Sequence, residues 1–263
     1  MKDNRTLLKS VKERNRFAFK KMRSGGPDRL ASAEGHRPGG QSGTFRAAVF
    51  GINDGLVSNL SLVMGVAGAS ADSRFVLLAG VAGLLAGAFS MAAGEYVSMS
   101  AQRELFENQI AIERRELAED PQGEQKELEL IYKSKGLPDD AATKLASSMM
   151  SDPAVALDTH AREELGLDPK ELGSPWGAAF SSFAAFIVGA IIPVAPYLFF
   201  SGQTAFMGSL VLSGLALLGV GAAIASFTGR SKFFSAVRML FIGALAAAIT
   251  YLVGSLVGVS TGL

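Results

Sequence analysis

The chain has 263 residues, of which 49% are hydrophobic, and its 25 Lys and Arg nearly balance its 24 Asp and Glu. This composition, with a mean hydropathy of +0.29, is too apolar for an ordinary soluble domain of this length. The sequence contains no cysteine, which excludes disulfides, thiolate metal sites and thiol redox chemistry. We therefore expect a membrane protein, with no nucleic acid among its partners.

The charges are strongly segregated along the chain. Residues 1–46 hold 12 Lys and Arg against 4 acidic residues, whereas residues 101–172 hold 17 acidic residues against 9 basic ones. After Glu171 there is no acidic residue. The pattern predicts four parts. Residues 1–43 form a basic, disordered cytosolic tail, and residues 44–100 form transmembrane helices 1 and 2. Residues 101–172 form an acidic cytosolic domain that binds metal, and residues 173–263 form transmembrane helices 3 to 5.

The first apolar stretch, roughly 45–69, is long enough to cross about 30 Å of hydrocarbon at 1.5 Å per residue. The first forty residues contain no signal-peptide core, so this stretch is expected to direct insertion itself. It holds Asp54 well inside its apolar sequence. A charge at that depth costs roughly 2.5–3.5 kcal/mol, and such residues usually line an ion or proton path. Asp54 therefore favours a transporter; a structural carboxylate is the alternative.

Four further stretches are long enough to span the bilayer, at roughly 75–99, 176–200, 205–228 and 234–259. The second span continues without a breaker to residue 119, which predicts one long helix that projects from the membrane. Turn and cap residues then divide the rest of the acidic segment into three short helices, beginning at Pro121, Asp139 and Pro153. The predicted fold is an all-α membrane protein with five transmembrane helices and a cytosolic helical metal-binding insert between helices 2 and 3.

The orientation follows from the basic residues in the connections. The N-terminal segment and the connection between spans 4 and 5, with Arg230 and Lys232, are basic, whereas the loop after span 1 carries only Arg74. Because cytosolic loops are enriched in Lys and Arg, the N-terminus and the insert are expected in the cytosol.

A candidate transport site lies within spans 1 and 2. Met91 and Asp54 are each about eight residues from the cytosolic end of their spans, so they are expected at similar depth. A carboxylate beside a thioether suits Fe²⁺ better than Mg²⁺ or Ca²⁺, and Glu95 is expected at the cytosolic mouth. Ordinary packing of Met91 and an interfacial role for Glu95 remain open. Other polar side chains of the two spans include Asn53, Ser58, Asn59, Ser90 and Ser98.

A second candidate site lies in the acidic insert. Glu113 and Glu116 are spaced i, i+3, as are Glu124 and Glu127, so each pair projects from one helix face. The turn between the helices can bring the pairs together, and the repulsion among four carboxylates favours a divalent cation as their partner. Solvated glutamates paired with neighbouring basic residues are the alternative.

Several motifs together resemble the vacuolar iron transporter family over almost all of the chain from about residue 44. They are Asp54-Gly-Leu-Val-Ser-Asn59, Gly94-Glu-Tyr-Val-Ser98, Gln102-Arg103-Glu104 and His160-Ala-Arg-Glu-Glu-Leu-Gly166. The resemblance implies a homodimer that exports Fe²⁺, and often Mn²⁺, from the cytosol in exchange for protons, through a pore between the subunits. It implies a transport site at Asp54 and Met91. Cytosolic metal ligands are implied at Glu113, Glu116, Glu124, Glu127 and Glu164.

One departure from the family concerns the residues before Glu164. One member of the family has two methionines there, whereas His160 and Ala161 occupy the matching positions here. An imidazole also binds Fe²⁺ or Zn²⁺, so His160 joins the candidate ligands. Met149 and Met150 are an alternative source of thioethers.

The resemblance leaves some properties open. Co²⁺ and Zn²⁺ are further candidate cargo ions, and no bound cofactor is expected. The expected membrane is the inner membrane of a bacterium, or the vacuolar membrane if the source is a eukaryote. A membrane-anchored carboxylate protein that binds or oxidises iron is the alternative function, with a cation channel or a structural membrane protein as a third class.

Overall fold

The structure is a computed structural model that describes residues 41–261, all of whose regular elements are α-helices. Residues 1–40, which include nearly all of the predicted basic tail, lie outside the described part. The first helix begins at Gln41, three residues before the predicted boundary of that tail. The helices are α1 Gln41–Ala69, α2 Ser73–Glu119, α3 Pro121–Ser134, α4 Asp139–Met149, α5 Pro153–Glu163, α6 Pro175–Phe199, α7 Gly202–Thr228 and α8 Lys232–Thr261.

Five of these helices are long and apolar enough to cross a membrane: α1, α2, α6, α7 and α8. Most of their large apolar side chains are exposed, including Phe89, Phe180 and Leu256. An exposed apolar surface of this extent is expected only where lipid or another protein covers it. The chain is therefore an all-α, multi-pass membrane protein, as the sequence predicts.

Helix α1 lies at the centre of the membrane part and contacts each of the other four spanning helices. Glycines allow this close packing. A Cβ on Gly51 would lie 2.8 Å from the carbonyl oxygen of Ser182 in α6. A Cβ on Gly189 would overlap the carbonyl oxygen of Ile52, and one on Gly254 would overlap that of Gly65. Small residues thus hold α1 tightly between α6 and α8.

Two side-chain hydrogen bonds also connect the spans. The Nδ2 of Asn59 in α1 donates to the carbonyl oxygen of Ala190 in α6, at 2.7 Å. The Oγ of Ser209 in α7 donates to the carbonyl oxygen of Pro193, also at 2.7 Å. Both bonds are buried and satisfy polar groups in a region where the bilayer supplies no water.

The insert consists of the outer part of α2 followed by α3, α4 and α5, close to the helix bounds that the sequence predicts. Asp120 accepts a hydrogen bond from the backbone N–H of Gly123 at 2.9 Å, and Asp152 accepts one from Ala154 at 2.7 Å, so each caps the helix that follows it. Leu128 and Tyr132 of α3 form a small apolar core with Ala142 and Ala146 of α4. The cytosolic location of the insert stays a prediction.

We expect Gly189→Ala to destabilise the protein by about 1–3 kcal/mol, because the added methyl group must push α1 away from α6. The measurement is the melting temperature of the purified protein in detergent. Gly219→Ala is the matched control, since a Cβ there meets no atom of the described chain within 4 Å. Both variants gain the same helix propensity, so equal melting temperatures would contradict the packing argument.

Candidate functional site

A cavity of about 260 Å³ lies between α1, α2 and α6 in the membrane part. Asp54 and Met91 both line it, so the structure brings together the carboxylate and the thioether that the sequence places at equal depth. The other lining residues are Ser58, Asn59, Leu62, Gly83, Gly87, Ser90 and Phe186. The cavity is thus lined by one carboxylate, one thioether and several neutral hydroxyl and amide groups.

Local packing determines which side chains reach this cavity. Asp54 precedes Gly55, whose missing side chain allows close contact with the backbone of Phe186 in α6. Gly87 in α2 faces the ring of the same phenylalanine, and Gly83 faces Leu62 of α1. These glycines bring the three helices together, and they leave the longer side chains of Asp54 and Met91 to line the space that remains.

The structure does not place Glu95 with this pair. Glu95 is half-buried on α2, one turn beyond Met91, and is not among the residues that line the cavity. It lies next to Tyr96, whose ring packs against Trp176 at the start of α6, with ring centroids 4.8 Å apart. Tyrosine and tryptophan are enriched at membrane interfaces. Glu95 therefore lies at the level expected for the edge of the bilayer.

The insert contains a compact group of four candidate metal ligands, which we call the carboxylate–histidine cluster. It consists of Glu113, Glu124, His160 and Glu164, and one ligand atom from each lies within 4.8 Å of the others. Nδ1 of His160 is 3.1 Å from a carboxylate oxygen of Glu113, 3.7 Å from one of Glu164 and 3.9 Å from one of Glu124. Three carboxylates thus surround one imidazole.

Three different helices supply the cluster. Glu113 comes from the outer end of α2, Glu124 from the first turn of α3, and His160 from the last turn of α5, with Glu164 at the C-cap of α5. The turn capped by Asp120 reverses the chain and brings the start of α3 back against α2. The cluster therefore exists only when the insert is folded.

Burial makes the charges of the cluster unfavourable without a partner. His160 is 0% exposed, Glu113 2% and Glu124 4%. Burial and the neighbouring carboxylates raise the pKa of Glu124 to about 7. Burial lowers the pKa of His160, but Glu113 and Glu164 outweigh it and raise that pKa to about 9.

Several cluster atoms also lack hydrogen bonds. Nε2 of His160 is buried without a hydrogen-bond partner in the described part of the chain. Nδ1 of His160 and the nearest oxygens of Glu113 and Glu164 contact each other as close charged pairs but form no hydrogen bond of good geometry. Buried polar atoms are normally paired. A divalent cation would meet this need, since oxygen and imidazole ligands suit Fe²⁺, Mn²⁺ and Zn²⁺.

The remaining predicted ligands lie near the cluster rather than in the group of four. Glu116 and Glu127 are half-buried, and their charges contribute to the raised pKa of Glu124. Met149, by contrast, packs against the apolar core between α3 and α4, where a thioether is ordinary packing. Sequence reasoning did not find Phe186, because an apolar residue in an apolar span carries no signal for a cavity.

Comparisons with known proteins agree in their assignment. Residues 45–255 match the profile of the VIT family. The chain is 38% identical over 218 residues to a "Vacuolar iron transporter" of Acanthamoeba castellanii, covering 82% of this chain and 80% of the relative. It is 33% identical over 207 residues to "Vacuolar iron transporter 1" of Oryza sativa subsp. japonica, covering 78% of this chain and 82% of the relative.

We expect Glu124→Gln to have opposite effects on thermal stability without and with metal. In chelator-treated protein above pH 7, where Glu124 is mostly ionised, the melting temperature rises, because one of three mutually repelling carboxylates is replaced by a neutral amide. On addition of Mn²⁺ the wild type gains stability, about 2.7 kcal/mol at a concentration 100 times the dissociation constant, and the variant gains much less.

The control for this experiment is Glu129→Gln, a half-buried glutamate of α3 outside the cluster. It should leave the Mn²⁺-induced rise unchanged. An equal rise in wild type and Glu124→Gln would contradict metal binding at the cluster.

Proposed function

The chain belongs to the VIT family and is a transporter rather than an enzyme, and from this we propose that it exports Fe²⁺, and also Mn²⁺, from the cytosol in exchange for protons. The observation that carries the proposal is the intramembrane cavity that Asp54 and Met91 share. Relatives named as iron transporters support a metal ion as the cargo. The two candidate sites support a transport path in which the carboxylate–histidine cluster collects the metal ion and the cavity carries it across the membrane.

The carboxylate–histidine cluster is the proposed collecting site. Its four side chains carry at least two net negative charges when the carboxylates are ionised, so it attracts divalent cations from solution. Glu116 and Glu127 add negative charge beside it. Along the continuous helix α2, Glu113 lies roughly 33 Å from Met91. The collected ion would therefore travel past Glu95 before it reaches the cavity.

Asp54 and Met91 form the proposed translocation site. A carboxylate in the membrane can be neutralised either by a cation or by a proton. Competition between the two at Asp54 would couple export of the metal to entry of protons. The Met91 thioether adds a soft ligand that favours Fe²⁺ over the hard ions Mg²⁺ and Ca²⁺.

A second subunit is part of the proposal because the cavity is open on one side. Ser58 and Ser90, which both line it, are exposed in the single chain. The exposed face of α1 also carries Phe50 and Leu62. Polar groups at membrane depth normally face protein or a water-filled path rather than lipid. A homodimer that pairs the α1 faces would enclose the cavity within a pore.

We expect Asp54→Ala to abolish Fe²⁺ uptake into proteoliposomes, because it removes the only charged side chain among the described residues that line the cavity. The measurement is uptake under an imposed pH gradient, kept anaerobic, with a metal-sensitive dye inside the vesicles. Asp140→Ala, at an exposed aspartate of α4, is the control and should transport like the wild type.

Collapsing the gradient with a protonophore separates the mechanisms. An exchanger loses concentrative uptake, whereas a channel continues to equilibrate the metal. Unchanged transport by Asp54→Ala would refute the proposed site.

We expect Ser58→Cys to form a disulfide-linked dimer in native membranes under mild oxidation. The chain contains no cysteine, so this single substitution introduces the only thiol. Ser226→Cys, at an exposed position of α7, is the matched control and should remain monomeric on a non-reducing gel. Cross-linking of Ser226→Cys alone would place the dimer contact on another face.

A further inference from the structure

Asn59 is a buried side chain of the cavity whose amide is only half satisfied. It is 2% exposed and lines the cavity together with Asp54 and Met91. Its Nδ2 donates to the carbonyl oxygen of Ala190 at 2.7 Å. Its Oδ1 is buried and has no hydrogen-bond partner in the described part of the chain.

The bond to Ala190 determines the orientation of the amide. A carbonyl oxygen can only accept a hydrogen bond, so the NH₂ group must face Ala190 and the oxygen must face away from it. The oxygen lies on the side of α2, where a Cβ on Gly83 would be 2.9 Å from it. Gly83 also lines the cavity. A strong acceptor is thus held in one direction, opposite a position without a side chain.

Asn59 lies beyond Asp54 on the predicted path. It follows Asp54 by five residues, roughly 7.5 Å further along α1 and away from the predicted cytosolic end. Gly83 is likewise further from that end than Met91, because α2 runs antiparallel to α1. The cavity therefore has a charged end at Asp54 and Met91 and a neutral oxygen at Asn59.

We propose that Asn59 is a further cation-positioning residue, whose Oδ1 binds the transported divalent ion after it leaves Asp54 and Met91. This inference rests on the proposed function. A neutral amide oxygen stabilises a passing cation without the strong attraction of a second carboxylate, which would retain it. Because the amide oxygen is a hard ligand, it contributes more to transport of Mn²⁺ than of Fe²⁺, which also gains from the Met91 thioether.

The test compares uptake of Mn²⁺ and Fe²⁺ by proteoliposomes containing the wild type, Asn59→Ala or Gly83→Ala. Asn59→Ala removes the oxygen. Gly83→Ala keeps the bond to Ala190 but places a methyl group 2.9 Å from the oxygen and against Cδ2 of Leu62, whose side chain must move aside. Both should raise the KM for Mn²⁺ about tenfold and lower the ratio of Mn²⁺ to Fe²⁺ uptake, whereas Gly219→Ala, with no neighbour within 4 Å in the described chain, should change neither.

The ratio separates a ligand from a merely structural residue. A folding defect reduces the number of active molecules and lowers uptake of both metals equally, with KM unchanged. Unaltered KM values and ratio in both variants, with an active wild type, overturn the role of Asn59. If Asn59→Ala does not fold, Gly83→Ala compared with Leu62→Ala decides the question, because both alter the Leu62 side chain and only Gly83→Ala blocks the oxygen. A wild type that transports neither metal refutes the proposed function itself.

Discussion

The structure depends on one electrostatic constraint: negative charge is held where water cannot solvate it fully. The carboxylate of Asp54 lies among apolar spans, and those of Glu113 and Glu124 are buried inside the insert. Each site needs a positive partner, either a proton or a metal ion. A metal transporter needs sites of this kind, because binding a cation offsets the electrostatic cost of the buried carboxylate.

Backbone packing maintains that constraint at Asp54. Helix α1 contacts α2, α6, α7 and α8, and its glycines bring the backbones of α6 and α8 close to it. Side chains that lack this glycine contact, such as those of Asp54 and Ser58, are directed to the remaining space next to α2. The packed apolar helices raise the free energy of the ionised Asp54 carboxylate, and the same packing also fixes the position of its side chain.

The sequence predicts the spans and insert helices well because their signals are local. Apolar runs of membrane length, an Asp-Pro pair at Asp152 and glycines at helix ends each act within a few residues. Only the resemblance to the family assigned His160 and Glu164 to the same site as Glu113 and Glu124. The cluster is formed by three helices that are distant in sequence, so no local pattern predicts it. The role of Phe186 and the half-satisfied amide of Asn59 depend on packing alone, which no local pattern encodes.

The continuity of α2 has a mechanical consequence. A 47-residue helix with no proline inside it behaves as a stiff rod that joins the cavity to the cluster. If α2 tilts by about 10° at Met91, its outer end moves by about 6 Å over the roughly 33 Å to Glu113. The cluster atoms lie within 4.8 Å of one another, and α3 and α5 carry the other ligands. A tilt of this size that α3 and α5 do not follow moves Glu113 by more than the separation of the cluster atoms. The arrangement of the carboxylate–histidine cluster is therefore mechanically linked to the orientation of α2 beside the cavity.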